Sequence, residues 1–162
     1  MSIDITFDKK QFEQFISKSK SIQKQVIKWY LDATTDFLLG KAMDNLTIGE
    51  TKAFDTGALH SSGVTIVDLE NNTGIVGFGG PDTDDYVLPV EFGTEPGHRP
   101  PIAPLIAWCR RVGIPKPDKV AWAIAKNIEK NGLRARPFMR NAVESTKKEA
   151  QRIWKEANEQ FN

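Results

Sequence analysis

Between Tyr86 and Trp108 the chain reads YVLPVEFGTEPGHRPPIAPLIAW, and no other stretch restricts its backbone so severely. Pro96, Pro100, Pro101 and Pro104 each fix φ and lack an N–H donor, so residues 95–104 suit neither helix interior nor sheet ladder. The segment is expected to cross the surface as a stiff, extended arm. Before it, Tyr86 to Glu91 are branched and aromatic and predict a short strand, with Pro89 marking an edge or a bulge. Phe92, Gly93 and Thr94 close that strand, and Gly93 supplies the freedom for a sharp exit. After the arm, Leu105, Ile106, Trp108, Cys109 and Val112 fall at helical spacing and predict an amphipathic helix. A rigid arm carrying apolar side chains suits contact with a partner better than catalysis.

The chain of 162 residues is long enough for one domain with a real core, and a single domain over 1–162 is expected. No apolar run approaches the roughly 20 residues of a membrane helix. The start, MSIDITFDKK, lacks a basic region followed by an apolar stretch, so no secretory signal is expected. A single cysteine, Cys109, rules out an intramolecular disulfide and fits assembly in a reducing cytoplasm. The net charge of +1 hides a strong polarisation. Residues 50–95 hold one basic and nine acidic side chains, whereas residues 99–162 hold fourteen basic and six acidic. The two signs either lie on opposite faces, which suits head-to-tail packing of identical copies, or are solvated faces of one monomer.

In chain order, Ile3 to Phe7 alternate and predict a short edge strand, and Asp8 with Gln11 predicts a helix start. Phe12, Phe15, Ile22, Val26, Trp29, Tyr30, Ala33, Phe37, Ala42 and Leu46 keep helical spacing. The polar SKSKS at 17–21 suggests a break between a short helix and a longer one from Ser21 to Asn45. That longer helix has a wide apolar face, as a helix lying across a sheet requires, with Trp29 and Tyr30 as core anchors. DTGALHSS at 55–62 predicts a helical turn opening a strand. Two strands, 64–67 and 74–78, flank an Asn-rich turn and predict an antiparallel hairpin. Gly113 to Asp118 stop one helix and restart another that runs to Asn131 and Gly132, giving an inserted helical hairpin over about 102–131. Leu133 to Pro137 form an extended entry to a final helix ending near Asn158. The fold class is α+β, with a small antiparallel sheet against a long N-terminal helix, the inserted hairpin and a C-terminal helix.

Residue types that carry chemistry are sparse. His60 beside Ser61 and Asp55 invites a hydrolytic reading, but residues so close in sequence seldom meet triad geometry, and no strand–nucleophile–helix elbow surrounds them. His60, His98 and Cys109 lack the close spacing of metal-ligand pairs. Asp82, Asp84 and Asp85 lack a calcium-loop pattern, and Gly77, Gly79 and Gly80 lack the Lys-Ser/Thr of a phosphate loop. The pattern argues against an enzyme and against a bound cofactor or metal. Arg134, Arg136 and Arg140 stand together, and Lys147, Lys148, Arg152 and Lys155 follow on the last helix. These residues suit non-specific contact with a nucleic-acid backbone, the alternative reading of this chain.

Three stretches carry a resemblance. DTGALHSS followed by a hairpin, then YVLPVEFGT with its Pro-rich arm, then ARPFMRNAVE, resembles the tailed-bacteriophage neck family of head–tail joining, tail-completion and minor tail proteins. The matching positions are Thr56, Gly57, Leu59, Ser62, Tyr86, Val90, Glu91, Phe92, Gly93, Thr94, Arg136, Pro137 and Phe138, in order from 55 to 144. Relatives commonly pass from the G-T turn to R-P-F with little between, whereas two helices intervene here. His60 stands where a basic or polar residue is usual. The resemblance implies a structural virion protein of phage or prophage, assembled in the host cytoplasm. Its copies would form a ring, taken as a hexamer, between the head connector or adaptor and the tail-tube or tail-terminator proteins. Pro96, His98, Arg99, Pro100, Pro101 and Ile102 are then expected to dock on a neighbouring copy or the connector. Arg134, Arg136 and Arg140 would face DNA passing through the ring, with no role for a membrane.

Overall fold

The computed structural model describes residues 9–49, 52–53 and 55–161, with side chains from 17 to 160. The element order is α1 (Lys9–Thr47), α2 (Ala58–Ser61), β1 (Val64–Asp68), β2 (Thr73–Gly77), α3 (Asp84–Phe92), α4 (Ile102–Arg111), α5 (Pro117–Asn131) and α6 (Phe138–Phe161). This is the expected α+β class: a long N-terminal helix, one two-stranded antiparallel sheet, the inserted α4–α5 hairpin and a C-terminal helix. No helix among the described residues is long and apolar enough to cross a membrane. The expected strand at Ile3–Phe7 and the Asp8 cap lie outside the described residues.

The elements group into two compact units. The first comprises Met1–Asp44, Gly63–Phe78 and Asn141–Asn162. Here α1 runs unbroken through the serines and lysines at 17–21, where two helices were expected. Neither residue type breaks a helix, and that stretch contains no Gly or Pro. The β1–β2 register pairs Val64 with Gly77, Ile66 with Ile75 and Asp68 with Thr73. Its turn is held by the Asp68 carboxylate, which accepts hydrogen bonds from Asn71 Nδ2 (2.7 Å) and the backbone N–H groups of Glu70 (2.9 Å) and Asn71 (3.1 Å). Those bonds, the Asn71 side chain foremost, hold the Asp68 carboxyl below its ordinary value. Gly74 lies against α1, where a Cβ would meet the Thr35 methyl at 2.6 Å, so the hairpin backbone approaches the helix closely. Tyr30 of α1 meets Trp154 of α6 edge to face, with ring centroids 5.1 Å apart; Trp29 and Tyr30, expected as core anchors, are half-buried.

The second unit comprises Asn45–Ser62 and Gly79–Arg140. The clearest departure from expectation is here: Tyr86 to Glu91 lie within helix α3 and not in a strand. Asp84 and Asp85 occupy its first turn, where acidic side chains are favoured, and Gly93 ends it at φ 75°. Val87, Val90 and Glu91 turn inward at helical spacing, while Leu88 and Phe92 are exposed. Pro89 therefore sits inside a helix, where it removes one backbone bond. Further on, α4 begins at Ile102, where the hairpin was expected to start, so 102–104 are helical and not part of an extended arm; Pro104 falls in a first turn whose N–H groups need no intrahelical partner. Pro117 opens α5 as expected, and Ala121 and Ala125 are buried on it.

A clasp then joins α3 to the start of α6. Thr94 and Leu133 form an isolated antiparallel bridge, Thr94 N–H to Leu133 O at 3.0 Å and Leu133 N–H to Thr94 O at 3.1 Å. Gly93 and Gly132 flank it at φ 75° and 72°, and a Cβ on either would collide with a backbone carbonyl across the bridge, Leu133 for one and Thr94 for the other. The Arg136 N–H donates to Val90 O at 2.7 Å. The buried Glu91 carboxylate accepts from the Met139 N–H at 2.9 Å and the Arg140 N–H at 3.0 Å. Asn45 Nδ2 donates to Phe138 O at 2.8 Å, and Phe138 is itself buried.

Replacing Glu91 by Gln removes the negative charge and turns an amide toward a helix-start N–H. Urea unfolding of Glu91→Gln is expected to show a stability loss of about 1–3 kcal/mol at unchanged m-value. An unchanged midpoint would show that the carboxylate is not stabilising the clasp.

Candidate partner-binding cleft

One wall of the cleft comes from the DTGALHSS turn. Gly57 at φ 85° precedes α2, the Thr56 hydroxyl accepts from the Ala58 N–H at 3.3 Å, and Leu59 is buried. Ser62 Oγ donates to Leu59 O at 2.8 Å and accepts from the Gly79 N–H at 3.3 Å, so it ties the two ends of the hairpin excursion. Thr56, Gly57, Leu59 and Ser62 thus hold a local structure, which is the expected turn opening a strand.

Facing this turn are Tyr86 and Val90 of α3, Leu105 and Trp108 of α4, and Ile124 and Ile128 of α5, enclosing about 790 Å³. That volume falls within the range of about 300–1,000 Å³ typical of ligand and peptide pockets. The polar groups are few. Asp55 is held by Arg111, whose Nε lies 3.3 Å from Asp55 Oδ1. His60, Asp82 and Arg136 complete the lining, and Arg136 Nη1 donates to Lys52 O at 3.0 Å. Burial pushes the Tyr86 phenol above its ordinary value, and the Asp55 and Asp82 carboxylates add to the shift.

All three motif stretches meet in this unit, which sequence alone did not reveal. VEFGT and RPF close the clasp, DTGALHSS and Tyr86 line the cleft, and Arg136 belongs to both. The capping role of Glu91 went unread, although an acidic residue between an α3 apolar pair and a Gly stop was its available signal.

The arm is tethered within its own chain. The Gly97 N–H donates to Glu129 O of α5 at 2.7 Å, and Arg99 Nε donates to Glu129 Oε2 at 2.9 Å. The Arg99 guanidinium also lies 5.8 Å from the Trp122 ring centroid. Pro96, His98, Arg99 and Pro101 remain exposed, while Pro100 and Ile102 are half-buried. Arg134, Arg136 and Arg140 are all exposed, and Arg140 stacks on Phe92 at 5.6 Å. On α6, Lys147 pairs with Glu144, Lys155 with Glu159, and Arg152 with both Glu149 and Glu156. The Arg152 bond holds the Glu149 carboxyl below its ordinary value.

Of the other candidates, His60, Asp55 and Asp82 share the cleft lining. Cys109 is fully buried, Ser61 is exposed, and Asp55 is engaged by Arg111. Among the described residues no group of three His, Cys, Asp or Glu side chains is placed to hold a metal ion. Comparison with protein-family models, curated proteins and solved structures finds no match to this chain.

The raised phenol gives a titration test. In Tyr30→Phe, Tyr86 is the remaining tyrosine, and its absorbance change near 295 nm is expected to have a midpoint above 10.0. A phenol with a raised folded value favours the fold below the unfolded value and loses that contribution as pH rises through the folded one. Stability should therefore fall more steeply above pH 10 than in Tyr86→Phe, and Asp82→Asn should lower the midpoint. A midpoint at or below 10.0 would contradict the partly covered setting of Tyr86 in this wall.

Proposed function

We propose that this chain is a structural subunit of a bacteriophage neck or tail end, one copy of a homo-oligomeric ring at the head–tail interface. The observation that carries the reading is an apolar sheet face that stands exposed among the described residues. Val64, Ile66 and Ile75 share the outer side of the β1–β2 hairpin and are 54%, 58% and 52% exposed. An isolated two-stranded hairpin is marginal in water, and a contiguous apolar face on it signals a contact surface. Leu88 and Phe92 add exposed apolar area on α3.

The resemblance supplies the kind of assembly. Its motif residues do structural work here: Gly57, Gly93 and Glu91 serve turns, close approach and a helix cap, and none presents a reactive group. A family defined by such positions is defined by its fold. The ring would form in the host cytoplasm, contact the connector or adaptor on one side and tail-tube or terminator proteins on the other, and pass DNA through its centre.

Light scattering over a concentration series is expected to show a mass near six chain masses, with annular particles in negative-stain images. A monomer at every concentration, alone and mixed with connector protein, would overturn the ring.

The alternative, non-specific nucleic-acid binding, is favoured by one observation. Residues 99–140 carry ten basic and two acidic side chains, whereas residues 141–162 carry four of each. Random-sequence duplex at low salt should then bind, with affinity falling steeply as salt rises. Changing Arg134, Arg136 and Arg140 together to Ala should abolish it. Equal binding by that variant would exclude these three arginines as the contact.

A further inference from the structure

Helix α5 has two unlike sides. Ala121 and Ala125 are buried, and Ile124 and Ile128 line the cleft. On the opposite side Lys119, Trp122, Ala123, Lys126, Asn127 and Lys130 recur three or four residues apart, and all are exposed.

That outer stripe works against the helix that carries it. Lys126 and Lys130 are like charges one turn apart, and Lys119 stands in the first turn, where the helix dipole disfavours a cation. Among the described residues Lys119, Lys126 and Lys130 form no ion pair, whereas Lys147, Arg152 and Lys155 of α6 each find a glutamate within one turn. The two carboxylates of α5 are engaged elsewhere: Asp118 lies 3.8 Å from Arg110, and Glu129 holds Arg99. Trp122, the largest side chain of the stripe, is 53% exposed. Arg99 lies 5.8 Å from its ring centroid while tied to Glu129, so the indole is braced and about half of it still meets water.

We propose that the outer face of α5 binds single-stranded nucleic acid, with Trp122 as a stacking platform for a base and Lys119, Lys126 and Lys130 holding the phosphates. A row of unpaired cations calls for a polyanion, and an indole among them calls for one that carries flat, unsaturated rings. A single strand offers both, while a duplex keeps its bases stacked on one another. A membrane surface asks for a broad apolar face, and this stripe has only Trp122 and Ala123 to insert. An acidic protein segment answers the lysines and leaves the indole unused. The surface is separate from Arg134, Arg136 and Arg140 and does not rest on the ring.

The test is fluorescence anisotropy of a labelled oligothymidylate of about 12 nucleotides, a length that one small binding surface spans. The full chain is expected to bind it at low salt, with affinity falling steeply as salt rises. Trp122→Ala should weaken binding by roughly tenfold or more at unchanged circular dichroism, and Trp122→Phe should keep most of the affinity. Lys126→Glu combined with Lys130→Glu should cost at least as much. The triple change of Arg134, Arg136 and Arg140 to Ala should leave the effect of Trp122→Ala in place. Wild-type affinity in Trp122→Ala, or an abasic oligomer of the same length bound as tightly as oligothymidylate, overturns the stacking platform. Polyglutamate competing as well as unlabelled oligothymidylate assigns the stripe to an acidic protein, and tighter binding to phosphatidylserine vesicles assigns it to a membrane; either overturns the proposal. So does the absence of binding at low salt. None of these readouts depends on oligomer mass, so the ring and the stripe fail separately.

Discussion

The second unit depends on one buried carboxylate. Glu91 is only 7% exposed, and its two oxygens are matched to two N–H groups at the start of α6. A helix start leaves its first N–H groups without partners and carries the positive end of the dipole, so a carboxylate there is favoured twice. Burial without those partners would cost several kcal/mol, which makes the arrangement all-or-none. Fixing Glu91 fixes α3, and α3 carries Tyr86 and Val90 into the cleft. It also explains how Pro89 is tolerated, since the end of α3 is held by the Arg136 N–H on Val90 O and the Thr94–Leu133 bridge. A short helix with one backbone bond missing survives because tertiary bonds brace its far end.

Patterns that depend on local chemistry were legible in the chain. The α2 turn, the β1–β2 hairpin, the α4–α5 hairpin with its Pro117 restart, and α6 follow from caps, turn residues and periodicity alone. The strand expected at Tyr86–Glu91 failed because β-branched content outweighed better signals. Thr83, Asp84 and Asp85 in front and Gly93 behind are helix punctuation, and Val87, Val90 and Glu91 keep helical spacing. Pro89 favoured the strand reading only because proline is rarer inside helices than at sheet edges. Long-range facts were not legible at all. Nothing near Glu91 in sequence announces Met139 and Arg140, and the cleft draws on residues from Leu46 to Arg136.

Charge tells a similar story at a coarser scale. The surplus of basic residues after Arg99 looked like a property of the whole C-terminal third. It belongs entirely to residues 99–140, because α6 beyond them is balanced, and Lys147, Arg152 and Lys155 pair within one turn. Such exposed pairs contribute about 0–1 kcal/mol each, so they solubilise the helix more than they stabilise it. What they remove is free positive charge. Any phosphate-binding surface is thereby narrowed to Arg134, Arg136, Arg140, the α4–α5 region and Lys148.

The arm also has a part to play within its own chain. Stiffness can hold a segment out toward a partner, or it can hold two neighbouring elements at a fixed spacing. Gly97 and Arg99 bind Glu129 of α5, and the arm runs directly into α4 at Ile102. Those contacts leave Pro96, His98 and Pro101 exposed, and they hold the start of α4 where Pro104 and Leu105 line the cleft. A preset wall binds better than one that must order on contact, because the ordering cost is met during folding. The prolines therefore act within the unit, by holding that wall of the cleft in shape. The hairpin differs from the arm in kind: it carries exposed branched side chains and no proline between Gly63 and Phe78.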